Sequence, residues 1–476
     1  PPRFLGPYVV LVMSGSGQPL PPANLIAEVV NDYAKPIWGP TSTTQFLYTP
    51  QQLYPLFGAK ELSLDQSVSQ GVSILNSALM QQLPPPFGTG TNRVVVGGIS
   101  QSAIIASLEM RQLAELAPGS APTASQLGFM LLGDPMNPNG GLFSRFPGLT
   151  LPSLGWDLYG ATPPNTIYPT DIYSLEYDGF AYFPQYPIDF LSDLNAVAGI
   201  AYVHSDYPDL TPTMLSPGYN IQTLPTSPGY TGVTTYHMIT YPNLPLLDPV
   251  RAIPVIGNPL ADLIQPDLTY LVNWGYGNPA YGYSTGPANV PTPFGVLPPV
   301  SATTVLPGDL VIGAQHGIGA FMNDVNAETL VLANHLSLSS LTSLGSAATS
   351  VGSSLLPAVL TSAQSFSPDS IIQSLESANT SIANFVSNAA AQSYAVLLPT
   401  ADIVNALVIS LPSYDVNLFL NGIEQAINGD PTGGLIYAFG APVAADLAIS
   451  TLAGGFELQL LSEAATSIFG DFGRLT

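Results

Sequence analysis

A serine stands between two small residues where a predicted buried strand passes directly into a predicted helix. The segment is Gly98-Ile-Ser100-Gln-Ser102. Such an abrupt turn forces the residue at its tip into a strained conformation, and small residues two positions to either side let the turn close. The Ser100 hydroxyl is then exposed beside the free N–H groups of a helix N-terminus, as in serine nucleophiles. The alternative is a serine that merely caps a helix, because the last position is Ser rather than Gly.

A serine nucleophile needs a base, and the sequence offers four histidines. His204 lies in the loop-rich region after the predicted sheet, and we prefer it as the base. His237 lies in a strand-like alternation that favours a structural role. His316 is in a glycine-bordered segment that we predict as a loop, and His335 lies in helical sequence.

Two aspartates compete as the acid that orients the histidine. Asp178 precedes a glycine in the loop-rich region, and Asp134 stands directly at a strand end before a proline. The order Ser100, Asp178, His204 is the chain order of α/β-hydrolase triads. We therefore prefer Asp178 and assign Asp134 to its turn, although spacing alone leaves both open.

The first predicted strand ends in the turn Gly15-Ser16-Gly17. This turn could open a dinucleotide fingerprint, but Leu20 occupies the third glycine position and prolines follow where a helix should begin. A small-residue turn at a sheet edge suits an oxyanion hole instead. We predict that Ser16 supplies a backbone N–H and a hydroxyl there, together with the Gln101 amide. A simple tight turn is the alternative.

Metal and thiol chemistry find little support. The sequence contains no cysteine, no His-Glu-x-x-His motif, no EF-hand loop and no histidine pair at helical spacing. Without cysteine there is neither a disulfide nor a thiolate nucleophile. We therefore predict a protein that needs neither a cofactor nor a metal.

The charge balance excludes further functions. Eight Lys and Arg stand against 31 Asp and Glu, a net charge of −23 over 476 residues. Such a chain repels the phosphates of nucleic acids and the headgroups of anionic membranes, so we predict no nucleic-acid partner. Because 46% of the residues are apolar and only 8% are charged, the chain should fold around a large core.

Strands and helices alternate in the first part of the chain. Residues 8–13, 93–96 and 127–132 are short apolar runs, typical of strands buried on both faces. We predict a helix that ends before the prolines at 84–86 and another from about 103 to 116. This alternation indicates an α/β fold with a central parallel sheet and helices on both faces.

The remaining chain divides in two. Residues 136–299 are dense in Pro, Tyr, Gly and Asn, and we predict long structured loops and short strands on the carboxyl edge of the sheet. From residue 326 the composition shifts to Ala, Ser and Leu. We therefore predict two domains, residues 1–325 and a helical region 326–476 that packs on the first.

Two helix patterns stand out in the C-terminal region. One begins at Ser367-Pro-Asp369 and carries an apolar stripe from Ile371 to Phe385. The other carries the stripe Val416, Phe419, Ile423 and Ile427. These faces must pack on each other, on the first domain, on a partner or on lipid, and we expect them to cap the site or hold lipid chains near it. No uninterrupted apolar run reaches the roughly 20 residues that span a bilayer, so we predict a soluble or surface-associated protein.

As a set, several segments resemble the PE-PPE domain serine hydrolases of mycobacteria, a cutinase-like α/β-hydrolase family. The resemblance spans roughly residues 1–325. It rests on Gly98–Ser102, Leu132–Gly141, Glu176–Ala181, Phe183–Pro187, Asp193–Gly199, Leu244–Leu247 and Gln265–Leu268. The turn Gly15–Pro19 and the spacing His204-x-x-Tyr207 are also similar to segments of cutinases.

The resemblance implies a cutinase-related fold and esterase or lipase-like activity on acyl esters. It implies Ser100 as nucleophile, Asp178 as acid, His204 as base and Ser16 at the oxyanion hole. Some members are acyltransferases that assemble envelope glycolipids. Members usually carry an N-terminal PE or PPE segment for type VII secretion. We therefore expect a processed or truncated protein that uses this secretion machinery and is secreted or held at the cell envelope.

Three functions remain open at this point. The first is a serine esterase that forms an acyl-enzyme. The second is an acyltransferase that passes the acyl group to a glycolipid such as a trehalose ester. The third is a non-catalytic surface protein whose acidic, Tyr- and Pro-rich loops bind a partner.

Overall fold

The centre of the protein is a β-sheet. The computed structural model describes residues 3–4, 6–40, 42–88, 90–210, 220–335 and 368–472. The strands in these residues are β1 (Tyr8–Met13), β2 (Ser42–Phe46), β3 (Val94–Ile99), β4 (Leu127–Leu132), β5 (Thr150–Leu151), β6 (Trp156–Asp157), β7 (Thr170–Leu175), β8 (Ile221–Thr223) and β9 (Thr234–Ile239). Seven of them form one sheet in the order β2-β1-β3-β4-β7-β9-β8, in which every pairing except β8 with β9 is parallel.

Helices cover both faces of the sheet and continue beyond it. They are α1 (Ala23–Val29), α2 (Lys35–Trp38), α3 (Leu64–Gln82), α4 (Gln101–Glu115), α5 (Leu142–Arg145), α6 (Phe190–Tyr202), α7 (Asp248–Arg251), α8 (Gly257–Trp274), α9 (Val300–His335), α10 (Pro368–Asn405), α11 (Leu411–Ile427) and α12 (Pro431–Phe472). α3 and α4 share a core with one face of the sheet, and α1 and α2 with the other. The predicted α/β class with a parallel central sheet is confirmed.

Burial on both faces explains why the first strands show no alternation of polar and apolar residues. In β1, Leu11 and Met13 enter the core beneath α3 and α4, whereas Val10 and Val12 enter the core beneath α1 and α2. All four side chains are fully buried. A strand covered on both sides needs apolar residues throughout.

The region between residues 136 and 299 contains more regular structure than predicted. It supplies β7 and β9 to the sheet and the long helices α6 and α8. The sequence of β7 does not show the apolar run of a buried strand, because it contains polar residues that are buried with partners. Asp171, for example, pairs with Arg3 and His237. α8 contains Pro266, a residue that ordinarily disrupts a helix interior. The prediction of loops and short strands alone is wrong for these elements.

The C-terminal helices join the core of the sheet. Ile403 of α10 and Leu452 of α12 belong to the same hydrophobic cluster as α3 and α4. At the rim of this contact, Tyr54 donates a hydrogen bond to the Asp402 carboxylate, and Ser153 Oγ donates to Asp402 O at 2.8 Å. α9 runs without a break across residue 325, near which the composition of the chain changes.

The most deeply buried face of α11 differs from the predicted apolar stripe, of which Phe419 and Ile423 are only partly buried. Its buried residues are Leu411, Tyr414, Leu418 and Gly422. Val416 is 57% exposed and Ile427 78% exposed, because this helix is apolar on more than one side. In the other predicted pattern, Ser367 and the side chains of Ile371 and Phe385 lie outside the described residues.

Two stretches of the C-terminal region have the length and composition of membrane-spanning helices. They are Tyr394–Ile427, with a mean hydropathy of 1.7, and Pro431–Thr466, with 1.6. Within their most apolar 18-residue windows, 22% and 39% of the residues are buried. Polar residues interrupt the apolar ones in both stretches, so no uninterrupted apolar run in the sequence indicates them as candidate membrane spans.

Glu109 of α4 is a carboxyl group buried against α3. Its Oε1 accepts a hydrogen bond from Asn76 Nδ2 at 2.9 Å, and its Oε2 has no partner in the described part of the chain. Burial raises the pKa of Glu109 from 4.5 to about 7. The folded protein therefore holds this proton at a pH where the unfolded chain has lost it.

Glu109→Gln is expected to alter the pH dependence of stability. As the pH rises from 4.5 to about 7, the wild-type free energy of unfolding should fall relative to that of the variant, because only the unfolded chain ionises freely. The slope is at most about 1.4 kcal/mol per pH unit. Urea unfolding across this pH interval measures the free energy of unfolding of the wild type and of the variant, with Glu115→Gln at the exposed end of α4 as control. If the two free energies differ by the same amount at every pH, the prediction is contradicted.

Candidate active site

Ser100 stands at a sharp turn between β3 and α4. β3 ends at Ile99 and α4 begins at Gln101, which leaves a single residue for the change of direction. The backbone of Ser100 has φ 56° and ψ −116°, a combination that non-glycine residues rarely adopt. Strain of this kind persists only where surrounding contacts hold it. The turn leaves the Ser100 side chain partly exposed.

Two small neighbours close this turn in different ways. A Cβ atom on Gly98 would lie 2.7 Å from Ser102 O, so no side chain fits there. Ser102 occupies the position where Gly-x-Ser-x-Gly turns have their second glycine. Its hydroxyl accepts from the Ile99 N–H at 2.7 Å and donates to Met13 O at 3.0 Å. The Ser102 hydroxyl therefore links the turn to β1 by hydrogen bonds.

Asp178 and His204 come from the two segments that follow β7. β7 ends three residues before Asp178, in a turn where Tyr177 has φ 67°. α6 ends two residues before His204, whose N–H donates to Gly199 O at 2.9 Å. The carboxyl ends of parallel strands meet at one edge of the sheet, so these segments reach Ser100.

The three side chains form a continuous chain of hydrogen bonds. His204 Nε2 lies 2.7 Å from Ser100 Oγ, and His204 Nδ1 lies 2.8 and 2.9 Å from the two carboxylate oxygens of Asp178. An ionised carboxylate only accepts hydrogen bonds, so Nδ1 carries the proton and Nε2 accepts from the serine hydroxyl. The Asp178 side chain is fully buried, and that of His204 is 13% exposed. This tautomer is the one that can take a proton from Ser100.

Four donors surround the carboxylate of Asp178. Besides the imidazole, the N–H groups of Phe180 and Ala181 donate to Oδ1 at 3.0 and 3.2 Å, and the Tyr207 hydroxyl donates to Oδ2 at 2.7 Å. An isolated buried carboxylate is unstable without such partners. These donors therefore keep a negative charge beneath the imidazole.

Tyr207 links this carboxylate to β7. It is fully buried, and its hydroxyl accepts from the Leu175 N–H at 2.9 Å while donating to Asp178. Burial and the neighbouring Asp178 charge raise the pKa of Tyr207 well above its usual value, so the phenol keeps its proton. The spacing His204-x-x-Tyr207 is visible in the sequence, but the contact of Tyr207 with Asp178 is not, because no local pattern reports it.

The His204 ring is held between a glycine and an aromatic ring. Gly133, directly after β4, has φ 61°, and a Cβ atom there would lie 3.2 Å from His204 Cε1 and 2.8 Å from Tyr207 Cε2. Phe180 contacts the imidazole edge-on, with ring centroids 4.8 Å apart. These contacts restrict the rotation of the imidazole and keep Nε2 directed at Ser100.

The turn after β1 lies against Ser100, because a Cβ atom on Gly15 would be 3.2 Å from Ser100 Cβ. The backbone N–H groups of Ser16 and Gln101 have no hydrogen-bond partner within the described residues. Ser16 Oγ accepts from Gln101 Nε2 at 3.0 Å and keeps its own proton for another acceptor. Both predicted oxyanion residues therefore lie beside Ser100 with free donors.

The buried side chain of Gln101 connects several segments of the site. Its Oε1 accepts from Ser67 Oγ at 2.7 Å, and its Nε2 donates to Gln52 O at 2.8 Å as well as to Ser16. Because a backbone carbonyl only accepts, this contact fixes which end of the amide faces Ser16. Contacts between residues so far apart leave no pattern in the sequence, so only the backbone role of Gln101 was predictable from it.

The other histidines have different surroundings. His237 pairs with Asp171 at 2.9 Å and stacks on Tyr173 with ring centroids 4.3 Å apart, which is a structural role. His316 lies within α9 and is exposed, so the prediction of a loop there is wrong. The side chain of His335 lies outside the described residues.

Asp134 stabilises the turn after β4. It is fully buried and accepts from the Met136 N–H at 2.9 Å and from Thr162 Oγ1 at 2.6 Å. Burial raises its pKa to about 6.

In the described parts of the chain, no three His, Asp or Glu side chains are grouped closely enough to hold a metal ion.

Comparison with known proteins identifies the family. The PE-PPE domain matches residues 40–277, half of the chain. Over 467 residues the chain is 47% identical to the uncharacterized PPE family protein PPE28 of Mycobacterium tuberculosis, an alignment that covers 98% of this chain and 67% of that protein. The chain belongs to the PE-PPE domain family.

Further relatives come from the same organism. Esterase PE16 is 45% identical over 293 residues, which cover 62% of this chain and 52% of that protein. SL1278 acyltransferase Chp1 is 31% identical over 212 residues, or 44% of this chain and 48% of that protein. The chain thus spans about half to two thirds of these relatives. A solved cutinase-like protein from Cryptococcus sp. aligns over 36% of this chain and 78% of its own, with 17% identity and a TM-score of 0.24.

Tyr207→Phe is expected to lower kcat about tenfold with little change in KM, because it removes one donor from Asp178 and leaves the Leu175 N–H unpaired. Ester hydrolysis measures the loss of kcat, and thermal unfolding measures the loss of stability caused by the unpaired N–H group. Tyr168→Phe is the matched control, since this buried tyrosine donates to Pro122 O away from the site. It should lose stability without losing kcat. Equal kcat in the two variants would show that Tyr207 supports only the fold.

Proposed function

We propose that this protein is a serine esterase that cleaves acyl esters through a covalent acyl-enzyme. The proposal is carried by the hydrogen-bond chain from Ser100 Oγ through His204 to the buried Asp178. The strained turn at Ser100 and the free N–H groups beside it support the same conclusion. The family relative named Esterase PE16 supports an activity on esters.

In the first half of the reaction, Ser100 Oγ attacks the ester carbonyl carbon and His204 Nε2 takes the hydroxyl proton. The resulting imidazolium is stabilised by the Asp178 carboxylate. The negative charge on the carbonyl oxygen is bound by the N–H groups of Gln101 and Ser16 and by the Ser16 hydroxyl. When the ester bond breaks, the alcohol leaves with the proton from His204, and the acyl group remains on Ser100.

In the second half, His204 takes a proton from water, which attacks the acyl-enzyme carbonyl. The same donors bind the second oxyanion. Its collapse releases the carboxylic acid and returns the proton to Ser100 Oγ. The site thus uses one base twice: the proton taken from Ser100 leaves with the alcohol, and a proton taken from water restores the Ser100 hydroxyl.

Ser100→Ala is expected to lower kcat/KM on short p-nitrophenyl esters by at least about a thousandfold, because no other group replaces the nucleophile. Adding His204→Ala to the Ser100→Ala protein should lower kcat/KM little further, since the two residues act as one unit. Fluorophosphonate labelling, located by peptide mass spectrometry, should fall on Ser100 alone. Ser73→Ala, exposed on α3, is the control and should be labelled like the wild type. Undiminished turnover by Ser100→Ala would refute the proposal, and absence of labelling in folded wild-type protein would favour a non-catalytic binding protein.

Acyl transfer is the second candidate function, favoured by the similarity to the relative named SL1278 acyltransferase Chp1. A sugar hydroxyl would replace water as the group that attacks the acyl-enzyme. His204 would take the proton of that hydroxyl, so the same residues serve both reactions. The outcome depends on whether the acceptor or water reaches the acyl-enzyme first.

A competition experiment separates the two candidates. If transfer dominates, adding an acyl-trehalose acceptor to an ester donor should convert most of the released acyl groups into a more heavily acylated trehalose, as seen by mass spectrometry. Ser100→Ala should form no such product. Free acid as the sole product at saturating acceptor would exclude transfer to this acceptor and leave the esterase.

We place this activity outside the cytoplasm, at the cell envelope or in the secreted fraction. The mycobacterial relatives and the apolar C-terminal helices support this location. An ester or a glycolipid of the envelope is the corresponding substrate.

A further inference from the structure

An apolar patch covers one side of the antiparallel hairpin that α11 and α12 form. On α11 the patch contains the stripe that the sequence predicts, Val416, Phe419, Ile423 and Ile427, together with Leu420. These residues recur at steps of three and four, so they share one face of the helix. The buried residues of α11 lie on the opposite face. The predicted stripe is therefore an outer face of this helix.

α12 continues the patch beside α11. Leu435, Ile436, Phe439 and Val443 follow one another at helical spacing, and between 47% and 67% of each side chain is exposed. The rings of Phe419 and Phe439 contact edge-on, with centroids 5.6 Å apart. This contact joins the stripes of the two helices into one continuous apolar surface, which we call the hairpin patch.

Polar residues lie beside the hairpin patch rather than within it. On α11, Asn417, Asn421, Glu424 and Asn428 are exposed and repeat at the same spacing as the apolar stripe, about a quarter of a turn away. α11 therefore presents a polar face and an apolar face to the solvent. A contiguous apolar patch with a polar border marks an interaction surface for a protein or a membrane.

The charges around the hairpin patch favour a partner without charge. The exposed carboxylates of Glu424, Asp430 and Asp446 border it. No Lys or Arg occurs between Arg251 and Arg474. Two copies packed face to face would bring these carboxylates together without a cation between them, and an anionic lipid surface would repel them. Hydrocarbon chains beneath uncharged or zwitterionic headgroups do not create this repulsion.

The hairpin patch suits partial entry into a lipid layer rather than a span across it. It lies on the two stretches that have the length and composition of membrane-spanning helices. However, Leu452 and Phe456, further along α12, pack in the core of the sheet and hold this end of the helix against the protein. From Val416 to Ile427, α11 rises by about 17 Å, whereas the hydrocarbon core of a bilayer is about 30 Å thick. Amphipathic helices of this kind lie in the plane of the lipid surface with the apolar face among the acyl chains.

We propose that the hairpin patch docks the protein on a lipid surface whose headgroups are uncharged or zwitterionic. Leu420 and Phe439 enter the acyl region, and Asn421 stays at the polar boundary. The hairpin is ready for this contact, because α11 and α12 pack so closely that a Cβ atom on Gly422 would lie 2.3 Å from Ala438 N. The patch lies outside the part of the chain that matches the PE-PPE domain, and the docking does not depend on the proposed esterase activity.

Binding to lipid vesicles tests this proposal. Phosphatidylcholine vesicles should carry the wild type upwards in a flotation gradient. Replacing about a third of the lipid by phosphatidylglycerol should weaken the binding, because the protein has a net charge of −23. Leu420→Asp should weaken binding to phosphatidylcholine at least about tenfold, because it places a charge in the acyl region. Asn421→Asp adds the same charge on the polar face and should bind like the wild type, as should Ser100→Ala.

A fluorescent label can locate the contact, because the chain contains no cysteine of its own. An environment-sensitive fluorophore attached to Leu420→Cys should shift to shorter wavelengths on phosphatidylcholine vesicles and be quenched by doxyl-labelled acyl chains. The same label on Asn421→Cys should respond little.

Failure to bind these vesicles, or an equal response of the two labels, would overturn the proposal. A particle of twice the mass in the absence of lipid, which Leu420→Asp converts to a monomer, would assign the hairpin patch to a second copy of the chain instead. Either result leaves the proposed esterase untouched, because ester turnover in solution is measured separately.

Discussion

The buried negative charge of Asp178 is the constraint on which the site depends. A carboxylate with no solvent contact must be surrounded by donors, and each hydrogen bond to such a charge contributes about 1.5–3 kcal/mol. The donors come from its own turn, from Tyr207 and from His204. Satisfying the charge therefore fixes the path of the chain after β7 and after α6. The same bonds orient the imidazole towards Ser100, so stability and proposed catalysis are served by one set of contacts.

The surroundings of His204 differ on its two sides. Towards Asp178 they are polar, whereas Phe180 and, behind it, Phe456 form an apolar surface. The oxyanion side, with Ser16 and Gln101, presents free donors. In the proposed reaction, the free donors would bind the carbonyl oxygen of an ester, and the apolar surface would face its acyl group.

A feature of the structure can be predicted from the sequence when the residues that cause it are close together in the chain. Ser100 was recognisable because strand, turn and helix adjoin in the chain. Asp178 and His204 were selected by chain order, and the structure brings them together through β7 and α6, neither of which was predicted. β7 has buried polar residues, and α11 is apolar on several sides, so hydrophobic patterns identified neither the strand nor the packed face of the helix. The bond between Gln101 and Ser16 joins residues 85 positions apart, and no local pattern contains such information.

The C-terminal helices pack close to the proposed catalytic histidine, because Phe456 of α12 stacks on Phe180. In the proposed reaction, Phe180 and, behind it, Phe456 would exclude water from the apolar side of His204. The turn after β1 would remain the open side, because Gly17 and Gln18 are exposed there. Whichever hydroxyl group enters from this side, from water or from a sugar, meets the same base and the same donors. In the proposed reaction, hydrolysis and transfer thus use the same three residues, and the group that fills the open side would decide between them.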